Sequence, residues 1–269
     1  MILGDLVKTI EIKAVRGDPN VKFTSVAHDS RQVLPGGIFV AVKGDTSDGN
    51  DYIENAIKKG TGTNGKTTTS YILESILNVA GKKSGIIGTI YNKIGEEKFS
   101  PKYTTPDPVE FQSLLTKMVE NKVEYVVAEV SSHALAQKRV WGSQFKIAIF
   151  TNLTHDHLDY HKTMEEYGKA KQELFCHYLE SDGIAVINKD DPFSDNLVKC
   201  GKKIITYGFS RGSDIVAFNV SICADGTSLS LITPKGAIDC KVKLIGMFNV
   251  YNIMAAVGWK RQNFFPSAG

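Results

Sequence analysis

Apolar and polar positions over residues 1 to 60 follow a mixed pattern. Apolar runs at Phe23 to Ala27 and Gly37 to Val42, on either side of the turn-forming residues Leu34-Pro35-Gly36, predict two short strands. From Asn50 to Lys59 the apolar residues recur at helical spacing, which predicts a helix. This part of the chain is therefore predicted to form a small α/β unit.

From Thr61 onward, apolar strands alternate with amphipathic helices. This alternation is typical of a parallel sheet with helices on both faces. From residue 215 to 245 apolar and polar positions alternate strictly, which predicts a small antiparallel meander appended to that sheet. The predicted helices are Lys66 to Ala80, Pro108 to Asn121 and Glu165 to Tyr178, and the predicted strands are Ser84 to Gly88, Tyr125 to Val130, Lys146 to Phe150, Gly183 to Asn188 and Lys203 to Tyr207.

The composition restricts the class of protein. A chain of 269 residues with 42% hydrophobic residues suits one large globular domain or two ordinary ones. Its net charge of +3 is too small and too evenly spread to indicate nucleic-acid binding. No apolar run approaches the ~20 residues of a membrane span, and residues 1 to 5 do not begin a signal peptide. We therefore expect a cytoplasmic protein without a membrane partner.

The four cysteines are far apart in the sequence and form no Cys-x-x-Cys pair. They are Cys176, Cys200, Cys223 and Cys240. This spacing predicts neither a disulfide framework nor a metal site, and we expect unreactive thiols.

A glycine- and threonine-rich segment before the first long helix fits a phosphate loop, with Gly60, four residues, and then Gly65-Lys66-Thr67. Glycines let backbone N–H groups close around phosphate oxygens, and the helix that follows directs its positive end at the anion. Lys66 would reach the terminal phosphates, and the Thr67 hydroxyl would bind Mg²⁺. The alternative is a turn that caps a helix. A phosphate loop normally follows a buried strand, whereas Ala56 to Gly60 looks like the end of a helix.

Glu129 ends the apolar strand that begins at Tyr125. Ligands of open α/β sheets bind beyond the carboxyl ends of the strands, so Glu129 is placed to hold a hard cation beside a nucleotide. The alternative is an ordinary acid that caps the next helix.

A histidine-rich segment supports a rival hypothesis. His155-Asp156-His157-Leu158-Asp159-Tyr160-His161 is similar to the two-zinc motif of metallo-β-lactamase-like hydrolases, but Tyr160 puts the last histidine one residue out of place. A polar loop with solvated histidines is a further alternative. Lys171 lies beside the apolar face of a predicted helix, and taken alone it is predicted to be a solvated surface lysine.

Together these residues resemble the Mur ligases, and among them the ligases that add the third residue of the peptide. The resemblance runs from about residue 22 to residue 258. It rests on Asp29-Ser30-Arg31, Gly37-Ile38-Phe39-Val40-Ala41, Asp48-Gly49, Thr63-Asn64-Gly65-Lys66-Thr67, Thr104-Thr105-Pro106-Asp107, Glu129-Val130-Ser131-Ser132-His133 and Gln137-Lys138-Arg139-Val140.

The resemblance implies a role for each matching residue. Ser30, Asp45, Thr46 and Ser47 would contact the UDP moiety, and Thr104, Thr105, Ser131, Gln137 and Arg139 would hold the muramoyl-dipeptide. ATP would be bound by Gly62, Thr63, Asn64, Gly65, Lys66, Thr67 and Thr68, with Asn249 and Asn252 near the adenine. Thr67, Glu129 and His157 would organise Mg²⁺, and Lys171 stands where the family carries a carbamylated lysine that is also an anionic ligand. Lys66, Glu129, His157 and Lys171 would form the catalytic group.

The activity implied is an ATP-dependent ligation by a monomer. The partners would be UDP-N-acetylmuramoyl-L-alanyl-D-glutamate and an amino acid, diaminopimelate or L-lysine. The implied domains are a partial UDP-binding domain over residues 1–60 and an ATP-binding central domain over residues 61–258, followed by an unassigned tail over residues 259–269.

Two departures from the family pattern bear on activity. The end of the first domain and the first strand of the central domain have no counterpart between Gly60 and Thr61, and no counterpart of the third domain follows Val257. We therefore expect this chain to have little activity by itself. The alternative function is a non-catalytic protein that binds a UDP-precursor or a nucleotide.

Overall fold

The computed structural model describes residues 26–27, 38–39, 65–156, 158–200 and 203–258. The chain divides into two compact units, Met1–Thr63 and Asn64–Gly269. In the first unit, β1 (Val26–Ala27) pairs in parallel with β2 (Ile38–Phe39), within the two strands predicted there. The helix predicted over residues 50 to 59 lies outside the described residues.

The second unit alternates helices and strands as predicted, and the bounds agree closely. The helices are α1 (Lys66–Val79), α2 (Pro108–Glu120), α3 (Ser132–Ala136), α4 (Leu158–His161), α5 (Met164–Glu173), α6 (Ser194–Val198) and α7 (Met247–Val257), with a π-helical turn at Leu174–Tyr178 directly after α5. The strands are β3 (Ser84–Ile87), β4 (Asn92–Ile94), β5 (Glu97–Phe99), β6 (Tyr125–Ala128), β7 (Phe145–Phe150), β8 (Leu179–Asn188), β9 (Lys203–Tyr207), β10 (Val216–Cys223), β11 (Gly226–Thr233) and β12 (Gly236–Val242).

The described strands of this unit form three hydrogen-bonded groups. The first has the order β5-β4-β3-β6, with β3 and β6 parallel and β4 and β5 antiparallel. The second is the parallel group β7-β8-β9. The third is the predicted antiparallel meander β10-β11-β12. The hairpin of β4 and β5 was not predicted, because these three-residue strands are too short for a recognisable apolar period.

Burial explains why these segments fold as they do. Residues 184 to 187 of β8 are all at most 4% exposed, as expected for a parallel strand covered on both faces. Helix α1 buries Leu73 and Leu77 against Ala256 of α7. The side chain of Asp107 accepts hydrogen bonds from two backbone N–H groups at the start of α2, which fixes the beginning of that helix.

The prediction that all four cysteines are unpaired was wrong, since Cys176 and Cys200 form a disulfide. The two cysteines are 24 positions apart in the sequence, but their Cα atoms lie 4.9 Å apart. The π-helical turn after α5 packs beside the end of α6 and brings them together. A search for closely spaced cysteines cannot find such a pair, because the contact depends on how two helices pack.

Among the described residues, no helix is both long and apolar enough to cross a membrane.

Candidate active site

The amino end of α1 carries the described part of the predicted phosphate loop. Gly65 caps the helix with a φ of 79°, in the left-handed region that favours glycine. Lys66, Thr67 and Thr68 follow in the first turn and are partly buried. No acidic side chain lies in this turn, so the positive end of the helix dipole is not offset from within α1. These features suit an anion such as a phosphate group.

Two asparagines of α7 support this loop from the other side. A Cβ atom at Gly65 would lie 2.0 Å from Oδ1 of Asn252, so the loop backbone and this amide are in close contact. The Thr69 hydroxyl lies 3.5 Å from the same oxygen, and the Asn252 amide donates a hydrogen bond to Oδ1 of Asn249 at 3.1 Å. Both asparagines are buried. In this structure they hold the start of α1.

Glu129, just past the carboxyl end of β6, is the centre of a cluster of hydroxyl groups. Its side chain is buried, and Oε2 accepts hydrogen bonds from the hydroxyl groups of Thr67 at 2.7 Å and of Thr89 at 2.9 Å. The backbone N–H of Thr89 donates to Oε1 at 3.0 Å. A Cβ atom at Gly88 would lie 2.5 Å from Oε1, so only glycine leaves room for the carboxylate. The hydroxyl and carboxylate oxygens that converge here are ligands that Mg²⁺ prefers.

A second network joins the predicted muramoyl-dipeptide residues to Glu129. The buried Thr105 hydroxyl donates to the backbone oxygen of Glu129 at 2.8 Å and accepts from the N–H of Ser131 at 3.1 Å. Arg139 donates to the backbone oxygen of Thr105 at 2.9 Å and donates twice to Oε1 of Gln137. Its guanidinium thus has a fixed orientation beside the carboxyl end of β6.

Thr104 links the second network to the cluster of hydroxyl groups around Glu129. It directly precedes Thr105 in the sequence, and its hydroxyl lies 3.2 Å from that of Thr89. Thr89 was missed by sequence reasoning, although a signal was present. It follows the carboxyl end of β3 by two positions, and β3 is the parallel neighbour of β6. Residues that follow adjacent parallel strands meet at the same edge of a sheet.

Lys66 and Lys171 lie close enough for their charges to interact. Burial lowers the pKa of Lys66, which the negative charges of Glu129 and Asp156 partly offset. Burial, and after it the charge of Lys66, lowers the pKa of Lys171 to about 7. The Lys171 ammonium also lies 4.9 Å from the centre of the Tyr167 ring. Lys171 is partly buried, so the fully solvated position that the helix pattern alone predicts is not what the structure shows.

The histidine segment forms an aromatic cluster. The His161 ring is buried, lies 2.9 Å from the Ser132 hydroxyl and stacks on Tyr167, with ring centres 5.2 Å apart. His133 packs against Tyr160 at 4.2 Å. In the part of the chain that the structure describes, no three His, Cys, Asp or Glu side chains are arranged to bind a metal ion. His157 and the side chain of Asp159, which belong to the two-zinc motif, lie outside what the structure describes, so that hypothesis stays untested.

Several predicted site residues lie outside the described residues, so their positions stay predictions. They are Ser30, Asp45, Thr46, Ser47, Gly62, Thr63, Asn64 and His157.

Comparison with known proteins gives two adjoining family matches. Residues 61–259 match the Mur ligase middle domain, and residues 22–64 match the profile described as Mur ligase family, catalytic domain. The chain is similar to the UDP-N-acetylmuramoyl-L-alanyl-D-glutamate--2,6-diaminopimelate ligase of Bacillus licheniformis, with 39% identity over 302 aligned positions. That alignment covers 93% of this chain and 62% of the relative. The chain thus spans about three fifths of the length of the relatives it matches.

Solved structures agree with this assignment. The structure of a UDP-N-acetylmuramoyl-L-alanyl-D-glutamate--2,6-diaminopimelate ligase superposes with a TM-score of 0.69 at 25% identity, covering 99% of this chain and 64% of that one. The structure of MurF ligase from Thermotoga maritima, solved with ADP, superposes with a TM-score of 0.53 at 19% identity. The match covers 88% of this chain and 62% of that one, and it shows a similar fold. Because the middle-domain profile matches most of the sequence and the fold agrees, this chain belongs to the Mur ligase family.

Proposed function

We propose that this chain forms the nucleotide- and precursor-binding part of an ATP-dependent ligase of peptidoglycan synthesis. The reaction is addition of the third amino acid to UDP-N-acetylmuramoyl-L-alanyl-D-glutamate. The amino acid named for its relatives is 2,6-diaminopimelate, and L-lysine is the alternative. The observation that carries the proposal is the 2.7 Å hydrogen bond from Thr67 to Glu129, because it joins the start of the phosphate-binding helix to the carboxyl end of β6.

The chemistry has two steps. A carboxylate oxygen of the dipeptide attacks the γ-phosphorus of ATP, which forms an acyl phosphate and releases ADP. The amine of the incoming amino acid then attacks the acyl carbon, an amide forms, and inorganic phosphate and a proton leave. Several anions must approach each other, so positive charge placed before the reaction begins lowers the barrier.

The residues around α1 supply that charge. Lys66 and the amino end of α1 would hold the terminal phosphates of ATP. Thr67 and Glu129 would hold Mg²⁺, together with His157 outside the described residues, and the ion would neutralise charge on the transferred phosphoryl group. The lowered pKa of Lys171 leaves much of its amine neutral near pH 7. Only a neutral amine adds CO₂, so this supports a carbamate at Lys171 that acts as a further anionic ligand.

The substrate would lie across the second network. Arg139 is oriented by Gln137 and Thr105 and is suited to bind a carboxylate of the dipeptide through two hydrogen bonds. Thr104, Thr105 and Ser131 lie along the same edge of the sheet. Ser30 and residues 45 to 47 would contact the UDP moiety.

Ligand-dependent thermal melting of the chain tests the proposal. A ligand at about 100 times its dissociation constant stabilises a protein by about 2.7 kcal/mol, a readily measured shift. We expect Mg-ATP to raise the melting temperature of the parent but not of Lys66→Ala, and the UDP-muramoyl-dipeptide to raise it for both. Failure of both ligands to bind the parent would contradict the proposal.

We further propose that the chain by itself turns over little or no ATP. Phosphate release that requires both the UDP-dipeptide and the amino acid would contradict this. A non-catalytic UDP-precursor or nucleotide-binding protein is the alternative, and it would bind these ligands without product formation even when domains of a relative are supplied.

A further inference from the structure

The Arg139 guanidinium is held on two edges and on one face. Its Nε–H and one N–H of Nη2 donate to Oε1 of Gln137, at 2.9 and 2.7 Å, and Nη1 donates to the backbone oxygen of Thr105 at 2.9 Å. The Tyr103 ring covers one face, with its centre 5.0 Å from the central carbon of the guanidinium. A guanidinium has five N–H groups, so these described contacts leave one on each terminal nitrogen. Such a pair suits the two oxygens of a carboxylate.

The orientation of the Gln137 amide decides whether this arrangement can form. The amide oxygen accepts both bonds from Arg139, whereas the amide NH₂ group is a donor and in the same place would oppose the guanidinium N–H groups. The two ends of an amide have nearly the same size and shape, so packing alone distinguishes them poorly. A partner that accepts a hydrogen bond from the NH₂ end is therefore needed to keep the oxygen on Arg139.

Tyr160 is that partner. The Gln137 NH₂ group donates to the Tyr160 hydroxyl at 3.3 Å, although the two residues are 23 positions apart in the sequence. The amide thus bonds at both ends, with its NH₂ group on a hydroxyl that accepts and its oxygen on a cation that donates.

Two histidines hold the Tyr160 ring in place. The ring packs on His133, with ring centres 4.2 Å apart, and meets His161 edge-on at 4.8 Å. His161 is buried, and its Nε2 lies 2.9 Å from the Ser132 hydroxyl. Ser132 and His133 begin α3, the helix that ends directly before Gln137. One short helix therefore positions both the amide and the ring that orients it.

The backbone after α3 forms a tight turn between Gln137 and Arg139. Lys138 lies within this turn with a φ of 55°, in the left-handed region that is uncommon for residues other than glycine. The N–H of Lys138 donates to the backbone oxygen of Leu135 at 3.0 Å, and the N–H of Arg139 donates to that of Ala134 at 2.8 Å. These bonds close the end of the helix and fix the turn across which the two side chains meet.

We infer that Tyr160 is a positioning residue for substrate binding. Its hydroxyl keeps the Gln137 oxygen on Arg139, so that the two remaining guanidinium N–H groups are directed at a carboxylate of the dipeptide. This inference deepens the proposed function and rests on it, because Arg139 is proposed there to bind the dipeptide. Tyr160 acts only through the orientation of the other two side chains. Without its hydroxyl the Gln137 amide can rotate by half a turn, and Arg139 loses its fixed direction.

The test compares the full chain with Tyr160→Phe, which removes the hydroxyl and keeps the ring that packs on His133. Tyr160 is 40% exposed, so the loss of its hydroxyl leaves the core intact. Isothermal titration measures the affinity for the UDP-muramoyl-dipeptide and for Mg-ATP. NMR of the ligand-free chain follows hydrogen exchange of the Arg139 Nε–H, whose signal is assigned by its absence in Arg139→Lys. The control is Tyr91→Phe, which removes a hydroxyl that lies 3.4 Å from Glu74 instead.

Gln137→Glu separates positioning from a general effect on the fold. A carboxylate has two equivalent oxygens, so either one can accept from Arg139 and no partner is needed to select it. Adding Tyr160→Phe to Gln137→Glu should therefore change neither the dipeptide affinity nor the exchange of the Arg139 Nε–H. A general loosening of the fold by Tyr160→Phe would persist in the Gln137→Glu chain.

We expect Tyr160→Phe to weaken binding of the UDP-muramoyl-dipeptide about three- to ten-fold, as for the loss of one hydrogen bond, and to speed exchange of the Arg139 Nε–H by a similar factor. Its Mg-ATP affinity, and both affinities of Tyr91→Phe, should match those of the parent. Equal dipeptide binding by Tyr160→Phe and the parent would overturn the inference. So would an effect of Tyr160→Phe that is undiminished in the Gln137→Glu chain.

Failure of the proposed function gives a different result. In that case the parent chain itself does not bind the UDP-muramoyl-dipeptide. The exchange of the Arg139 Nε–H needs no ligand, so it still decides whether Tyr160 positions Arg139. Unchanged exchange in Tyr160→Phe overturns the inference in either case.

Discussion

The carboxylate of Glu129 accepts the Thr67 hydroxyl at 2.7 Å, although the two residues are 62 positions apart in the sequence. Thr67 belongs to the helix that follows the predicted phosphate loop, and Glu129 follows a strand of the sheet beneath that helix. The contact brings a hydroxyl and a carboxylate to the positive end of α1. The site is therefore built where a helix begins and a strand ends.

Glu129→Gln should abolish the stabilisation that depends on Mg-ATP and leave the chain folded. The amide can still accept the N–H of Thr89, but it has no charge with which to hold a hard cation. The melting temperature with and without Mg-ATP measures the effect. The matched control is Glu124→Gln, which removes an exposed carboxylate paired with Lys82. An unchanged Mg-ATP shift in Glu129→Gln would show that this carboxylate does not bind the metal.

Gly65→Ala should destabilise the chain more than Gly81→Ala, at the other end of α1. Both glycines have positive φ, 79° and 67°, so each substitution costs roughly 1–2 kcal/mol of backbone strain. Nothing lies within 4 Å of a Cβ atom at Gly81, whereas one at Gly65 meets the buried Asn252 amide. We expect an additional cost of about 1–3 kcal/mol at Gly65 from this overpacking.

Urea denaturation measures both changes in the free energy of unfolding. Adding Asn252→Ala to Gly65→Ala should recover part of the additional cost, since the obstructing amide is gone. Equal destabilisation by the two alanine variants would mean that the loop does not contact α7 in solution.

Lys171→Met should stabilise the chain at pH 7 in carbonate-free buffer, and the gain should shrink as the pH rises. The pKa of Lys171 is lowered to about 7 in the folded chain, whereas an unfolded lysine titrates near 10.4. Between these values the unfolded state holds one more proton, so the parent gains stability with rising pH. Below pH 7 the folded parent must carry the buried positive charge of Lys171. The stabilisation by Lys171→Met is therefore largest there.

Thermal melts from pH 6 to pH 9.5 follow this difference. Lys169→Met is the control, because Lys169 lies in the same helix, is exposed and pairs with Glu165. The difference in melting temperature between Lys169→Met and the parent should change little up to pH 9. A pH-independent effect of Lys171→Met would show that Lys171 has an ordinary pKa.

Arg139→Ala should weaken binding of the UDP-muramoyl-dipeptide at least ten-fold and leave Mg-ATP binding unchanged. A guanidinium that makes two hydrogen bonds to a carboxylate contributes more than the 1.4 kcal/mol that corresponds to a factor of ten. Isothermal titration of each ligand separates the two effects. Lys117→Ala removes an exposed positive charge from α2 and is the control. Equal loss of affinity for both ligands would mean that Arg139 acts on the fold rather than on the substrate.

The sequence by itself determined the local structure of this protein and the position of its main chemical groups along the chain. The apolar period predicted α1, α2, the strands of the parallel groups and the antiparallel meander within a few residues. This succeeds because the face that an element buries is encoded in its own spacing of apolar residues. The loop at Gly65-Lys66-Thr67 and the position of Glu129 at a strand end were also predicted from residues that are close together in the sequence.

Only the tertiary structure decided which of these groups meet. It placed Thr89 on Glu129, set Asn252 against Gly65 and turned Lys171 toward Lys66. It paired Cys176 with Cys200. These contacts join residues far apart in the sequence, and their distances depend on how helices pack across the sheet. No periodicity within one element carries that information.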